Sequence, residues 1–295
     1  MNEPAATARR HRLQLDLPPG WTVRATSGLG PFVTRAVLER PDGSVVEWTS
    51  RRHRKRLGLR PADGSTWRHG PLRAASGSSI AMGLLFMLGS ACFFIGPMPF
   101  YASAVSESAV AWTFVVGSVF FTSAAYLQFR EALVAPTGPD DDAAVPRGFR
   151  RIVAVWPHRI DWWAASIQLA GTLFFNLTTY AATRDALSVV QERRWIWAPD
   201  VFGSICFLVA SWLAYVEASA GGTGWRHRGT GWSIATLNLV GSIAFGVSAV
   251  AARYLRATGE IANLAVANLG TVVGAACFFV GAALLPVESA RDRSA

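Results

Sequence analysis

Gly89-Ser90-Ala91-Cys92-Phe93, in the middle of a long apolar run, is the stretch that decides the fold. It consists of a glycine, a small residue, two variable positions and a phenylalanine, and this unit recurs five times. The other copies run from Gly117 to Phe121, Gly171 to Phe175, Gly203 to Phe207, Gly241 to Phe245 and Gly274 to Phe278. Because each copy lies in its own apolar segment, the repetition predicts three similar helical hairpins in a membrane.

Composition supports this prediction. The chain has 295 residues, of which 51% are hydrophobic and only 16% are charged, whereas soluble proteins average roughly 25% charged residues. Six apolar segments of about 20 residues each match a bilayer core of roughly 30 Å if they are helical, and unpaired backbone groups in lipid require a helix. The segments are Ile80–Phe100, Ser108–Phe129, Trp162–Ala182, Pro199–Glu217, Trp232–Tyr254 and Ile261–Pro286.

We therefore predict an all-α integral membrane protein with six transmembrane helices arranged as three repeated hairpins, preceded by a small β-containing cytoplasmic segment. The predicted parts are a basic N-terminal segment (1–75), a first helix pair (76–135), an acidic and basic cytoplasmic linker (136–160), a second helix pair (161–218), a linker (219–231), a third helix pair (232–286) and a tail (287–295).

The N-terminal segment is predicted to contain a β-hairpin. Phe32–Arg40 and Val45–Ser50 are rich in Val, Thr, Phe and Trp, and they flank the turn residues Pro41-Asp42-Gly43-Ser44. Residues 1–79 also hold 14 of the 28 Lys and Arg residues but only 6 of the 19 acidic ones.

The distribution of basic residues predicts the orientation in the membrane. The side that holds the N-terminus, the linkers and the tail carries 23 Lys and Arg residues, and the other side carries five. Under the positive-inside rule, both termini are cytoplasmic.

The densest charge run is Arg51-Arg52-His53-Arg54-Lys55-Arg56. One interpretation is a solvated stretch that only enforces topology. The other is contact with anionic lipid headgroups, worth about 1 kcal/mol per basic residue near the surface. Nucleic-acid binding is not expected, because few aromatic partners accompany the charges. The candidate lipid-contact residues are Arg51, Arg52, Arg54, Lys55 and Arg56.

Polar residues within the apolar segments are the second group of candidates. The position three residues before the glycine is polar in four copies, at Gln168, Asp200, Asn238 and Thr271. Asp200 follows Pro199 at an expected helix start, so we expect it to be a capping carboxylate near the outer surface. The candidate intramembrane polar cluster is Gln168, Asn176, Asn238 and Asn268. It would form interhelical hydrogen bonds or line a cavity for a neutral or zwitterionic ligand.

Catalytic and metal-binding residues are not recognisable in the sequence. Cys92, Cys206 and Cys277 each occupy the fourth position of the repeated unit, where a small apolar packing role fits. The five histidines lie in predicted cytoplasmic segments, without metal-ligand spacing or a nucleophile beside them. We expect no enzymatic activity, no cofactor and no metal.

The paired apolar segments resemble the YrhK-like family of small bacterial membrane proteins. The stretches that carry the similarity are Phe86-Met87-Leu88-Gly89-Ser90-Ala91-Cys92-Phe93-Phe94-Ile95-Gly96 and Val115-Val116-Gly117-Ser118-Val119-Phe120-Phe121. The resemblance implies a bacterial membrane protein, and it does not extend to residues 1–75. The family supplies no activity and no site residues.

Two functions are predicted from these features. The first is a structural or regulatory multi-pass protein of the bacterial inner membrane, which contacts lipid or a partner through its basic N-terminal segment. The alternative is a transporter of a small neutral or zwitterionic solute, since internal repeats are common in transporters.

Overall fold

The structure is a computed structural model that describes residues 15–62, 74–136, 138–139, 154–219, 229–255 and 259–294. It consists of a helical bundle with a small sheet at one end. Asp140–Asp142 of the first predicted linker and Gly221–Gly224 of the second lie outside the described residues.

The sheet has four antiparallel strands in the order β1-β2-β3-β4. They are β1 (Thr22–Leu29), β2 (Phe32–Glu39), β3 (Val45–Thr49) and β4 (Arg60–Pro61). The predicted hairpin is the β2–β3 pair. Its turn is held by a 2.9 Å hydrogen bond from the Ser44 backbone N–H to Asp42 Oδ1, and Gly43 has the positive φ of 83° that such a turn requires. A small core with Leu38, Val46 and Trp48 covers one face.

Nine α-helices occur in the described residues. They are α1 (Ser50–Arg54), α2 (Gly77–Ile95), α3 (Pro99–Ala104), α4 (Glu107–Leu133), α5 (Ile160–Ala181), α6 (Val189–Glu192), α7 (Ala198–Ala218), α8 (Thr230–Ala251) and α9 (Leu264–Ser294). A π-helical turn (Arg193–Trp197) joins α6 to α7 without a break. Ser76 and Ser106 cap α2 and α4, since each hydroxyl oxygen accepts a backbone N–H of the first turn.

Several predicted segment ends differ from the structure, and three of them involve a proline. Helix α2 stops at Ile95, because Pro97 cannot continue a helix. Helix α9 continues through Pro286 to Ser294, and the Pro286 ring lies against Gly83 of α2, which has no side chain to obstruct it. Pro199 does not begin a helix, since the chain is helical from Val189 onward. Asp200 makes no capping hydrogen bond, so the prediction that it caps a helix is wrong.

Five helical stretches of the described chain are long and apolar enough to cross a membrane. They are Gly77–Ile95, Glu107–Leu133, Val189–Ala218, Thr230–Ala251 and Leu264–Ser294. Helix α5 is not among them. It has 22 residues, but Gln168 and Asn176 interrupt its apolar run.

The six long helices form a closed ring. Each packs against the next in the order α2, α4, α5, α7, α8, α9, and α9 packs against α2. The phenylalanines of the repeated unit meet inside this ring in two layers. Phe93, Phe175 and Phe245 form one layer, with ring centroids 6.1 to 6.4 Å apart. The other layer is Phe121, Phe207 and Phe278, with centroids 5.7 to 6.3 Å apart.

The glycines of the repeated unit allow this packing. A Cβ added at Gly117 would lie 2.8 Å from the Cys92 Cβ and 2.9 Å from a ring carbon of Phe93. The same reciprocal contact joins α5 to α7 and α8 to α9: Gly171 meets Cys206 and Phe207, and Gly241 meets Cys277 and Phe278. The cysteines therefore pack beside a glycine of the partner helix, which is close helix approach of the kind favoured in membranes.

We expect Gly117→Ala to lower the stability of the folded protein by about 1–3 kcal/mol, because the new methyl group overpacks the contact with Cys92 and Phe93. Thermal unfolding in detergent micelles measures the change. Gly246→Ala in α8 is the matched control, since a Cβ there meets no atom within 4 Å and should be neutral or slightly stabilising. Equal effects of the two substitutions would contradict the packing role.

Candidate functional site

Three glutamates converge at the end of the bundle that faces the sheet. Glu131, Glu217 and Glu288 lie on α4, α7 and α9. Each stands fourteen residues after the glycine of its copy of the repeated unit, which is nearly four helical turns. These three residues, called the acidic triad below, therefore occupy equivalent places on three helices.

The short helix α1 places its basic side chains on the acidic triad. The Arg51 guanidinium donates to Glu288 Oε1 at 2.7 Å, and Lys55 Nζ lies 2.8 Å from Glu288 Oε2. Arg54 bridges two helices, with Nη1 3.2 Å from Glu217 Oε2 and Nε 3.7 Å from Glu131 Oε1. We call Arg51, Arg54 and Lys55 the basic clamp. It holds the sheet against the bundle, because α1 follows β3 directly.

Further contacts extend this interface. Lys55 Nζ also lies 2.9 Å from Asp292 Oδ2, and the Ser50 hydroxyl donates to Glu217 Oε1 at 2.6 Å. Burial alone would lower the pKa of Arg54, but the surrounding carboxylates, Glu217 first, raise it above its usual value. Arg54 therefore stays charged in a buried position, and its charge is matched by those carboxylates.

His53 provides a further contact between α1 and the rest of the chain. It is buried, and its Nε2 lies 2.8 Å from the Pro136 carbonyl oxygen, so the Nε2–H tautomer donates this hydrogen bond. Burial, and then the nearby charge of Arg159, lower its pKa to about 4, although Asp161 acts in the opposite direction. His53 is therefore neutral at physiological pH.

A cavity of about 80 Å³ lies between the basic clamp and the phenylalanine layers. We call it the inner cavity. Gln168 and Asn238, predicted as members of a polar cluster, both line it, together with Gln128. Gln128 Oε1 is buried and has no hydrogen-bond partner among the described residues. Phe86 and Phe278 form its apolar wall.

A second cavity, of about 230 Å³, lies on the far side of the phenylalanine layers. We call it the outer cavity. Phe93, Phe175 and Phe245 line it on the side of the bundle centre, and Asn268 and Asp200 lie in its wall. Asn268 is therefore separated from Gln168 and Asn238. Asn176 lines neither cavity, and it donates to Thr122 Oγ1 at 2.9 Å.

Chain direction explains why the predicted polar residues divide between two cavities. The position three residues before the glycine points to the inner cavity in α5 and α8, at Gln168 and Asn238. In α7 and α9, which run the opposite way, the same position points to the outer cavity, at Asp200 and Thr271.

The predicted lipid-contact residues largely face protein. The basic clamp is ion-paired, and Arg52 donates to the Leu57 carbonyl oxygen at 2.8 Å. Burial, and then Arg60, lower the pKa of Arg52 to about 10. Arg56 is exposed and donates to the Val134 carbonyl oxygen. Lipid contact by these residues stays a prediction.

The acidic triad was not identified from the sequence. The signal in the sequence is that each glutamate follows the glycine of the second repeated unit of its helix pair by fourteen residues. Glu131 and Glu288, however, lie outside the predicted apolar segments. In the described part of the chain, no group of three or more His, Cys, Asp and Glu side chains could hold a metal ion.

No family model, curated protein or solved structure matches the chain. Fold and site therefore define its class: a helical protein with a small N-terminal sheet and five helices that could cross a membrane. Its similarity to YrhK-like proteins stays a prediction from sequence.

We expect docking of α1 to weaken as the pH falls from 6.5 to 5. Above pH 6.5 His53 is neutral in both docked and undocked states, and below it only the undocked state gains a proton. The loss should be about 2 kcal/mol over this range. Hydrogen exchange of residues 45–56 in the full-length protein, corrected for intrinsic rates, measures it.

His53→Gln is the control, because an amide can still donate to the Pro136 carbonyl oxygen but does not titrate. The pH dependence over this range should disappear in the variant. An unchanged pH dependence would assign the effect to other groups.

Proposed function

We propose that this chain is a six-span protein of the bacterial inner membrane, built from three repeated hairpins with both termini in the cytoplasm. Its role is structural or regulatory and does not involve catalysis. The N-terminal sheet and α1 form a cytoplasmic module that closes the inner end of the bundle. The observation that carries this proposal is the buried contact between the basic clamp and the acidic triad.

Two observations support six spans. Helix α5 has 22 residues, about 33 Å of helix, and it fills the place between α4 and α7 that closes the ring. The N-terminal module also contacts the C-terminal part of α9, through Arg51 and Glu288. An even number of crossings is consistent with these two ends of the chain meeting on one side.

The equivalent positions of the acidic triad and of the two phenylalanine layers support three repeats. One glutamate and two phenylalanines come from each helix pair. A single basic helix then forms ion pairs with all three glutamates. Such a contact favours regulation, because undocking leaves buried carboxylates without partners.

We expect Glu288→Gln to weaken docking by about 3 kcal/mol, because the largely buried Arg51 would lose its carboxylate partner and Lys55 would keep only Asp292. Cleavage by trypsin within residues 51–56 of the full-length protein should become about tenfold faster or more. Glu39→Gln is the matched control. It breaks the exposed Arg24–Glu39 ion pair of the sheet and should leave the cleavage rate unchanged. Equal rates in the two variants would reject the clamp.

Lipid contact is best placed beside the clamp, in a groove of about 350 Å³. Arg56, Arg130 and Arg293 line it together with Ser78 and Ser79. The three arginines are exposed, and none forms an ion pair with a described residue. Exposed guanidinium groups and hydroxyls at the cytoplasmic end of the helices fit the phosphate of an anionic lipid headgroup.

Backbone conformation at Arg56 supports a role for its side chain. Arg56 has a φ of 56°, in the left-handed region that costs a non-glycine residue about 1–2 kcal/mol. Glycine would serve the turn better, so an arginine at this position points to a use of its charge.

We expect Arg56→Gly to keep or raise stability while reducing the preference for anionic lipid. Thermal unfolding of the full-length protein with added short-chain phosphatidylglycerol or phosphatidylcholine measures both quantities. Phosphatidylglycerol should stabilise the unmodified protein more than phosphatidylcholine does, and the difference should shrink in the variant. Arg184→Ala is the control, because Arg184 is exposed at the other end of the bundle.

The same thermal unfolding measurement is repeated with inorganic phosphate. If phosphate alone raises the unfolding temperature, the groove binds a soluble anion. No difference between the two lipids in the unmodified protein would reject lipid recognition in this groove.

Transport of a small neutral or zwitterionic solute is the second candidate. The observation in its favour is that cavities containing polar side chains lie on both sides of the phenylalanine layers, which form a central apolar barrier between them.

We expect a transported solute to raise the unfolding temperature of the detergent-solubilised protein, and the combined Gln168→Leu and Asn238→Leu substitutions to abolish that rise, because both amides line the inner cavity. A screen of amino acids, sugars and polyols would detect it. No stabilisation by any member of the panel would weigh against this function.

A further inference from the structure

Asp200 is a carboxylate in the wall of the outer cavity. It lies in the first turn of α7, directly after the π-helical turn Arg193–Trp197. Helical turns of this kind often occur at functional sites. Trp197 and Asp200 are three residues apart, so they share a helix face, and both line the cavity.

The Asp200 side chain makes no hydrogen bond or ion pair with any residue that the structure describes. Some other polar side chains of the cavity already have hydrogen-bond partners. Thr178 donates to the Ile196 carbonyl oxygen at 2.9 Å, and Ser248 donates to the Ala267 carbonyl oxygen at 2.7 Å. A carboxylate at membrane depth without a partner is costly, and such residues commonly mark ligand or ion sites.

Aromatic residues form a large part of the wall of the outer cavity, beside aliphatic and polar side chains. Six aromatic rings line it, from Phe93, Phe114, Phe175, Trp197, Phe245 and Tyr254. Aromatic faces attract cations, most strongly where water is excluded. One cation already uses this property at the rim: the Arg193 guanidinium lies 5.4 Å from the Trp197 ring centroid and donates to the Tyr254 carbonyl oxygen. Arg193 itself does not line the cavity.

We propose that the outer cavity binds a small organic cation, an amine or quaternary ammonium, with Asp200 as its counter-ion and the aromatic rings as its walls. The cavity, of about 230 Å³, suits a ligand smaller than a typical drug. This site is independent of the proposed cytoplasmic clamp, because the two phenylalanine layers separate them. It also differs from the predicted ligand class, which was neutral or zwitterionic.

Benzyltrimethylammonium is the probe, because its charge does not depend on pH and it carries one aromatic ring. Isothermal titration calorimetry of the full-length protein in detergent measures binding. We expect saturable binding that weakens about tenfold or more in Asp200→Asn, which keeps the side-chain shape and removes the charge. Asp185→Asn is the matched control, since Asp185 is exposed and outside the cavity, and its binding should equal that of the unmodified protein.

One neutral probe and one anionic probe test whether binding requires a positive charge, without any substitution in the protein. Benzyl alcohol and benzenesulfonate should bind at least about tenfold more weakly than benzyltrimethylammonium. Equal binding of the three probes, equal binding of the cation to the Asp200→Asn variant and the unmodified protein, or no saturable binding of the cation at all would each overturn the proposal. The unfolding temperature of Asp200→Asn confirms that the variant is folded.

Discussion

Glycine packed against phenylalanine within each helix pair is the contact on which the rest of the bundle depends. In lipid, helices associate through close packing, because lipid tails are as apolar as the side chains. The glycines bring α2 near α4, α5 near α7 and α8 near α9, and this approach directs six phenylalanine rings to the centre. The rings form two layers that fill the middle of the bundle. The two cavities exist because this filling stops short of both ends.

The charges at the end of the bundle that faces the sheet follow from the same packing. Once the ring of helices closes, Glu131, Glu217 and Glu288 face a common space, and burial of Glu217 and Glu288 without cations would be strongly unfavourable. Helix α1 supplies the cations. Burying these ion pairs adds little stability compared with an apolar interface, but it makes docking depend on the match of specific charges. The basic run is therefore first an internal partner of the bundle, and Arg56 is its exposed end.

Local signals made much of the fold predictable. Apolar length gave the positions of the long helices, and Pro41 to Ser44 gave the β2–β3 turn. Helix ends were harder, because Pro286 is accommodated only through Gly83 of a distant helix. Within the candidate site, Gln168 and Asn238 were predicted as matched positions and do share a cavity. The pairing of Arg51 with Glu288 was not predictable, since 237 residues separate the two and nothing local connects them.

Asp200 shows why a repeated sequence position need not have a repeated role. It occupies the same place relative to its glycine as Gln168, yet the opposite chain direction of α7 carries it to the outer cavity. The repeat therefore creates two chemically different ends from one pattern. At the inner end the carboxylates meet cations of the chain itself. At the outer end the Asp200 carboxylate shares a cavity with aromatic rings instead, and a cation that balances it there would have to come from outside the described chain.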